Sequence, residues 1–498
     1  MRANSSSLDL GDTTAIAELG EVLRSMGFSG EGVRQTFETT GDLASRPVDI
    51  PVQMRRLREA GALGTLIQLF IMGKTVEAGD ARDAFASFGL ERAEALGVVR
   101  RDGDEVAPLI RIVAHDELLV ASDLRPVDGQ GQGHELSFDH VAGIHAPSIM
   151  LSKLTVRRHV GRMLDVGTGN GVQALLAAPH SSSVISTDIN ERALDFARFT
   201  ATLNGCGNIE WREGSFFDPV EGERYDLVTC NPPYVISPES AYVYRDSGME
   251  GDAVSRMVVE QAPRFLEEGG FASVLVSWAV RGGNEAPTAP LKEWVAGNGC
   301  DAWLLYYGTD DPLEHATKWL PDDVGDDADA VMGRWLGYLE RLDIEAVSYG
   351  AVILRRRSGV ENWVRSDRLH GDRLRPASDH ILRVFEAGDF LAGIADPRAL
   401  FAERLVLAEQ TELERRSVFR DREWVVDSIQ LSLQEGLAFN AALDPETAGM
   451  LAALDGTRTL GDVAADMARL QAADRASVEE SVLPVAAEML AAGFLVRC

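Results

Sequence analysis

Cysteine is scarce, with four in 498 residues. Cys206, Cys230, Cys300 and Cys498 stand far apart and make no C-x-x-C pair, which excludes a disulfide framework and a cysteine zinc site. Long apolar runs are absent as well: none approaches the ~20 residues that span a bilayer. The start of the chain also lacks the basic-then-apolar pattern of a secretory signal. The expectation is a soluble, cytoplasmic protein with no membrane partner. Basic residues are in deficit, 48 Lys and Arg against 78 Asp and Glu, for a formal charge of −30 at pH 7. Such a field repels phosphate backbones and makes nucleic acid the less favoured partner. Arg355-Arg356-Arg357 and the stretch Arg365 to Arg375 are the candidates for a local basic patch, although runs of this kind are usually solvated faces.

What the chain does have is the composition of a folded protein, 45% apolar and 25% charged. Disorder is expected only at the Ser-rich start, Asn4 to Ser7. The length suits roughly three domains, here placed at 1–133, 134–369 and 370–498. In the first, Ile16, Leu19, Val22, Leu23 and Met26 recur at helical spacing before Gly27, and Leu63 to Met72 and Ala81 to Leu90 read as further helices. Two β-rich runs then flank a Gly-Asp turn between Gly97 and Val113. Helices followed by a hairpin resemble a winged-helix module. Pro126 and the glycines of Gly129-Gln-Gly-Gln-Gly133 mark a linker.

From about Val160 to Arg357, short apolar runs alternate with helical stretches, the signature of a parallel α/β sheet. Candidate strands are 162–166, 184–188, 209–213, 225–230, 271–276, 302–306 and 349–354. A long excursion, Gly308 to Val347, holds an acidic loop (Asp322, Asp323, Asp326, Asp327, Asp329) and a helical pattern from Val331 to Leu342. Beyond His370 the chain reads as helical, and from about 440 its spacing is similar to small winged-helix peptide-binding domains, ending in a helix that runs into a short strand.

Met163-Leu-Asp-Val-Gly-Thr-Gly-Asn-Gly171 carries a strand into a glycine-rich turn, where the backbone can pass close to a ligand that any Cβ would strike. Asp165 precedes the glycines. Asp188 ends the next strand, 21 residues after Gly167, the spacing at which a carboxylate accepts hydrogen bonds from ribose hydroxyls; Ile189 follows it. Gly214-Ser215-Phe216-Phe217 offers a polar side chain and an aromatic face to a purine base.

Asn231-Pro232-Pro233-Tyr234 follows the fourth strand. A planar amide or exocyclic amine is a poor nucleophile because its lone pair is delocalised. Acceptors that hold its two N–H protons, here the Asn231 side-chain oxygen and the Pro232 carbonyl, would leave the lone pair free to turn toward an electrophilic carbon. Two prolines stiffen that loop, and Tyr234 offers a flat surface to the acceptor.

These residues resemble the amino-methyltransferase branch of the class I S-adenosylmethionine (SAM) dependent fold, which includes release-factor glutamine and ribosomal-RNA guanine-N2 methyltransferases. The resemblance spans about 140 to 357. It implies SAM as cofactor and a Rossmann-like, seven-stranded α/β core whose last strand is antiparallel, flanked by a helical, winged-helix-like N-terminal domain and a helical C-terminal one. It assigns Asp165, Gly167, Thr168, Gly169, Asn170, Gly171, Asp188, Ile189, Ser215, Phe216 and Asn231 to cofactor binding, and Asn231, Pro232, Pro233 and Tyr234 to catalysis. Asp139-His140-Val141-Ala142-Gly143 lies where such enzymes close over the methionine end of the cofactor. Arg245 to Gly248 is a candidate substrate loop. His140, His145 and Asp139 could be read as metal ligands, but no further cluster joins them, and no metal is expected. The acceptor implied is a protein, peptide or small molecule, with ribosomal RNA as the alternative. A SAM-binding assembly subunit without catalysis is the reading from another class. Oligomeric state is left open.

Overall fold

Strands buried on both faces stack side by side under helices, and six apolar runs of this chain do so. The computed structural model describes residues 8–37, 50–125, 136–282, 286–320, 328–370 and 373–498. The Ser-rich start, the Gly129 to Gly133 stretch with the 133/134 boundary, and Asp322, Asp323, Asp326 and Asp327 lie outside them. The chain divides into two compact units, Met1–Leu151 with His159–Asp367, and Ser152–Arg158 with Arg368–Cys498.

The first unit is built on one sheet. Its strands are β1 (Val160–Val166), β2 (Ser181–Asp188), β3 (Ile209–Glu213), β4 (Tyr225–Cys230), β5 (Leu266–Val280), β6 (Cys300–Asp310), β7 (Ala346–Arg356) and β8 (Val364–Arg368). The spatial order is β3-β2-β1-β4-β5-β7-β6-β8. The first five run parallel, and β7 is antiparallel to both β5 and β6. All seven strands read from the sequence are present, and β8 adds an eighth at the β6 edge. The order reverses between β1 and β4, so the crevice beyond the carboxyl ends of those two strands is where a doubly wound sheet takes its ligand. Arg355, one of the three consecutive arginines, is no surface patch: its Nη2 donates to the fully buried Asp301 at 2.5 Å.

Helices α1 (Val172–Ala177) and α2 (Glu191–Leu203) follow β1 and β2. Ala193, Phe196, Phe199 and Leu203 of α2 share one hydrophobic core with Ile16, Leu19, Leu23, Phe28 and Phe70 of the N-terminal region. Arg24 reinforces the contact with hydrogen bonds to the Leu203 carbonyl (3.1 Å) and the Asn204 side chain (2.8 Å). Within that region the helix read as Ala81 to Leu90 is two, Ala78–Ala84 and Leu90–Ala95. They are separated at Gly89, whose φ of 99° no helix accommodates. The hairpin around Gly103 forms as Val99–Asp102 and Glu105–Pro108.

The second unit holds helices Ser378–Gly393, Pro445–Ala453, Leu460–Gln471 and Arg475–Ala491, but it is not wholly helical. Strands Arg404–Leu407, Asp455–Thr459 and Leu495–Arg497 form one small sheet, and Thr411–Arg420, Glu423–Leu433 and Asn440–Leu443 another. The tight turn of the long hairpin places Asp421 (φ 51°) and Arg422 (φ 72°) in the left-handed region. Asn-Gly normally marks such turns, so the sequence carries no turn signal there. Ser152–Arg158 joins this unit through Lys153 Nζ to the Leu374 carbonyl (3.1 Å) and the Arg157 amide to Ser378 Oγ (2.8 Å). Among the described residues no helix is long and apolar enough to cross a membrane.

Gly20 supplies a test of the shared core. It lies inside the helix Thr13–Ser25, where alanine is ordinarily the better residue by about 1 kcal/mol. Here a Cβ would fall 2.0 Å from the Leu203 carbonyl oxygen. Gly20→Ala is therefore expected to destabilise the protein by about 1–3 kcal/mol; thermal melting checks this, and a raised Tm would refute the packing.

Candidate active site

The crevice at the switch point opens into a cavity of about 570 Å³, well within the range of small-molecule and cofactor sites. Asp165, Gly167, Thr168, Gly169, Asn170, Asp188, Ile189, Ser215, Phe216, Asn231 and Pro233 all line it. Gly171 does not. Its Cβ position faces Ala197 at 3.1 Å, so this glycine serves the packing of α1 on α2 instead.

Asp165, at the end of β1, is buried, and both its oxygens are engaged. Thr168 Oγ1 donates to one at 2.7 Å, and Thr229 Oγ1, directly across the ladder on β4, donates to the other at 2.8 Å. Burial pushes its carboxyl up to about 6, against the two hydroxyls, which pull the other way. Asp188 accepts from the Gly169 amide (2.8 Å) and the Asn190 amide (2.9 Å); burial raises its carboxyl too. The amides of Gly167 and Thr168 both donate to the Thr187 carbonyl at 2.9 Å. Positive φ at Gly167 (68°) and Gly169 (56°) shapes the turn, and a Cβ at either would enter open space on the cavity wall. A bound molecule can therefore lie against bare backbone. Ile189 is 60% exposed and Phe138 63%; both line the cavity, so apolar surface is held out at its mouth.

Three tethers hold the segment 139–143 over this cavity. Asn170 Nδ2 donates to the Ala142 carbonyl and Asn190 Nδ2 to the Asp139 carbonyl, both at 2.9 Å, and the Val141 amide donates to Asp123 at 2.8 Å. Arg192 grips both oxygens of the same Asp123. Sequence reasoning missed Asp123 and Arg192 because the two lie far apart in the chain and neither belongs to a motif. Burial lowers the pKa of His140 and His145. His140 Nδ1 lies 3.5 Å from Asp123, and His145 Nδ1 lies 2.9 Å from the Gly143 carbonyl. Among the described residues no three His, Cys, Asp or Glu side chains are grouped to hold a metal.

A second cavity, of about 360 Å³, adjoins the first. Pro232 and Tyr234 line it, and Asn231 lines both. The Asn231 amide has no hydrogen-bond partner among the described residues. One lone pair of the Pro232 carbonyl is taken by the Tyr234 amide at 2.8 Å, which leaves the other for a ligand. Tyr234 is buried beside Tyr307, and burial raises its pKa well above the usual value. Arg245 and Asp246 form a buried bidentate pair (2.9 and 3.0 Å), and Asp246 also accepts the amides of Ala241 and Tyr242. This pair braces the loop after the Asn-Pro-Pro-Tyr motif.

Residues 144–281 match the family model described as methyltransferase small domain. Two further stretches, 25–109 and 383–497, match models described as domains of unknown function. Curated relatives include release factor glutamine methyltransferases of Xylella fastidiosa (33% identical over 132 residues, 24% of this chain and 47% of the relative) and Yersinia pestis (36% over 132 residues, 24% and 46%). That of Agrobacterium fabrum is 32% identical over 145 residues, 26% of this chain and 50% of the relative. The chain thus spans about half the length of the curated relatives it matches. With the sheet order and the glycine turn described above, these matches identify residues 144–281 as a class I SAM-dependent methyltransferase domain.

Proposed function

We propose that this chain is an N-methyltransferase that transfers the methyl group of SAM to a planar nitrogen of a protein, peptide or small-molecule acceptor. The observation that carries this reading is the position of Asn231, whose unpartnered amide is a wall common to both cavities. The relatives are named for a glutamine acceptor, whose side chain is a planar amide of the kind this motif suits.

The residues present fit the cofactor. Gly167 and Gly169 would let it lie on the backbone, Asp188 would accept the ribose hydroxyls, and Ile189 and Phe216 would flank the base, with Ser215 beside it. Asp165 would face the methionine amino end, directly or through water. SAM supplies an electrophilic methyl on a sulfonium. On the acceptor side, the Asn231 oxygen and the free lone pair of the Pro232 carbonyl would hold the N–H protons and keep the nitrogen's lone pair aimed. This is catalysis by positioning, without a strong base. The neutral histidines and the buried Tyr234 narrow the space and exclude water.

Two substitutions separate binding from chemistry. Asp188→Ala is expected to weaken SAM binding at least tenfold, the scale of losing hydrogen bonds to a charged acceptor, at about 1.5–3 kcal/mol; calorimetry measures this, and unchanged affinity would refute the ribose role. Asn231→Ala should lower turnover about 10²-fold or more, far more than it weakens SAM binding, read by methyl transfer into fractionated protein, RNA and metabolite pools beside calorimetry. Wild-type turnover would remove the acceptor argument.

Asp165 gives a pH signature. Its folded carboxyl keeps a proton to higher pH than the unfolded chain does. The stability it lends the ligand-free protein is therefore full in acid and lost as pH rises through about 6. Asp165→Asn should accordingly gain stability relative to the parent between pH 5 and 7.5, on the order of 1–1.5 kcal/mol by denaturant titration. SAM, whose amino end is a cation, should bind the parent more tightly as pH rises over the same window, and the Asn variant should show no such rise.

A further inference from the structure

The smaller cavity holds an unbalanced pair of cations. Arg111, on the strand Arg111–His115, is only 8% exposed. The one hydrogen bond of its side chain among the described residues is Nε to the Ile71 carbonyl, at a long 3.5 Å. Arg125, which follows the strand Leu118–Ser122, lines the same cavity and has no carboxylate partner among the described residues. The remaining charges there are satisfied: Asp123 by Arg192, and Arg245 by Asp246. Burial, with Arg125 as a like-charged neighbour, lowers the Arg111 guanidinium to about 9. A guanidinium buried like that of Arg111 without a counter-charge is costly to fold, and Arg125, exposed beside it, adds a second charge of the same sign. Their planar forks suit a bidentate oxyanion.

We propose that Arg111 and Arg125 form a binding site for a carboxylate or phosphate carried by the methyl acceptor, seating the acceptor nitrogen against Asn231. The proposal rests on the N-methyltransferase reading and deepens it by naming the charge of the substrate. Neither arginine lines the larger cavity that Asp165 and Asp188 share, which separates the pair from the cofactor's own carboxylate. Both arginines lie outside the matched 144–281 segment. Acceptor choice would then belong to the N-terminal region of this chain and not to the domain common to the relatives.

The test is calorimetric titration of the full-length, SAM-loaded protein with inorganic phosphate and, separately, with acetate. At least one anion is expected to bind the parent and to lose tenfold or more in affinity in both Arg111→Met and Arg125→Met, while SAM affinity stays within about twofold. Binding of phosphate alone marks a phosphorylated acceptor, and binding of acetate a carboxylate. Arg125, the less buried of the two, supplies a variant less demanding on folding, and SAM binding reports that each variant is folded. Anion affinity unchanged in the variants, or no binding of either anion to the parent, would overturn the site. So would a tenfold loss of SAM affinity in both variants with no anion bound to SAM-loaded parent, because the pair would then hold the cofactor's carboxylate. Failure of the underlying reading looks different: it appears as absent SAM binding or as full turnover in Asn231→Ala.

Discussion

Two hydroxyl hydrogen bonds to one buried carboxylate hold the site together. Thr168 belongs to the glycine turn and Thr229 to the strand that delivers Asn231, and both donate to Asp165. The carboxylate thereby locks the cofactor side of the crevice to the acceptor side across the β1–β4 ladder. Desolvation opposes its ionisation, so the group is costly when charged and unoccupied. A cationic ligand would offset that cost. Under the proposed function, cofactor affinity and the alignment of the acceptor loop would depend on the same side chain.

Much of this was legible in the amino-acid order. Parallel strands buried on both faces read as continuous apolar runs, and the residues of the glycine turn, Asp188 and Asn231 fall where those runs end. The reading failed where structure depends on contacts remote in sequence. Asp123 and Arg192 meet only because β2 hands the chain to α2 beside the segment after Ser122. Arg111 looks like any strand arginine until its missing counter-charge is seen in three dimensions. The long C-terminal hairpin was missed for a local reason, since Asp421 and Arg422 take left-handed conformations that the sequence advertises with neither glycine nor asparagine. Gly171 reads like its neighbours in the turn, yet only its packing against Ala197 distinguishes its role.

Under the proposed function the two cavities would also divide the labour between the segment matched by the relatives and the rest of the chain. The larger is lined almost wholly by the segment shared with the relatives, together with the tethered 138–143 stretch. The smaller draws on Arg111, Asp123, Leu124 and Arg125. On that reading, one way of holding a donor could be joined to a different acceptor pocket without altering the strands of the sheet.

The core shared by α2 and the N-terminal helices has a consequence for how the chain tolerates being shortened. Phe196, Phe199 and Leu203 are buried against that region. Removing it would leave a continuous aromatic and aliphatic stripe facing water along a helix beside the site, the kind of patch that drives self-association. A fragment trimmed to the sequence it shares with its relatives would retain every motif of the glycine turn and the Asn-Pro-Pro-Tyr loop and still come out of solution.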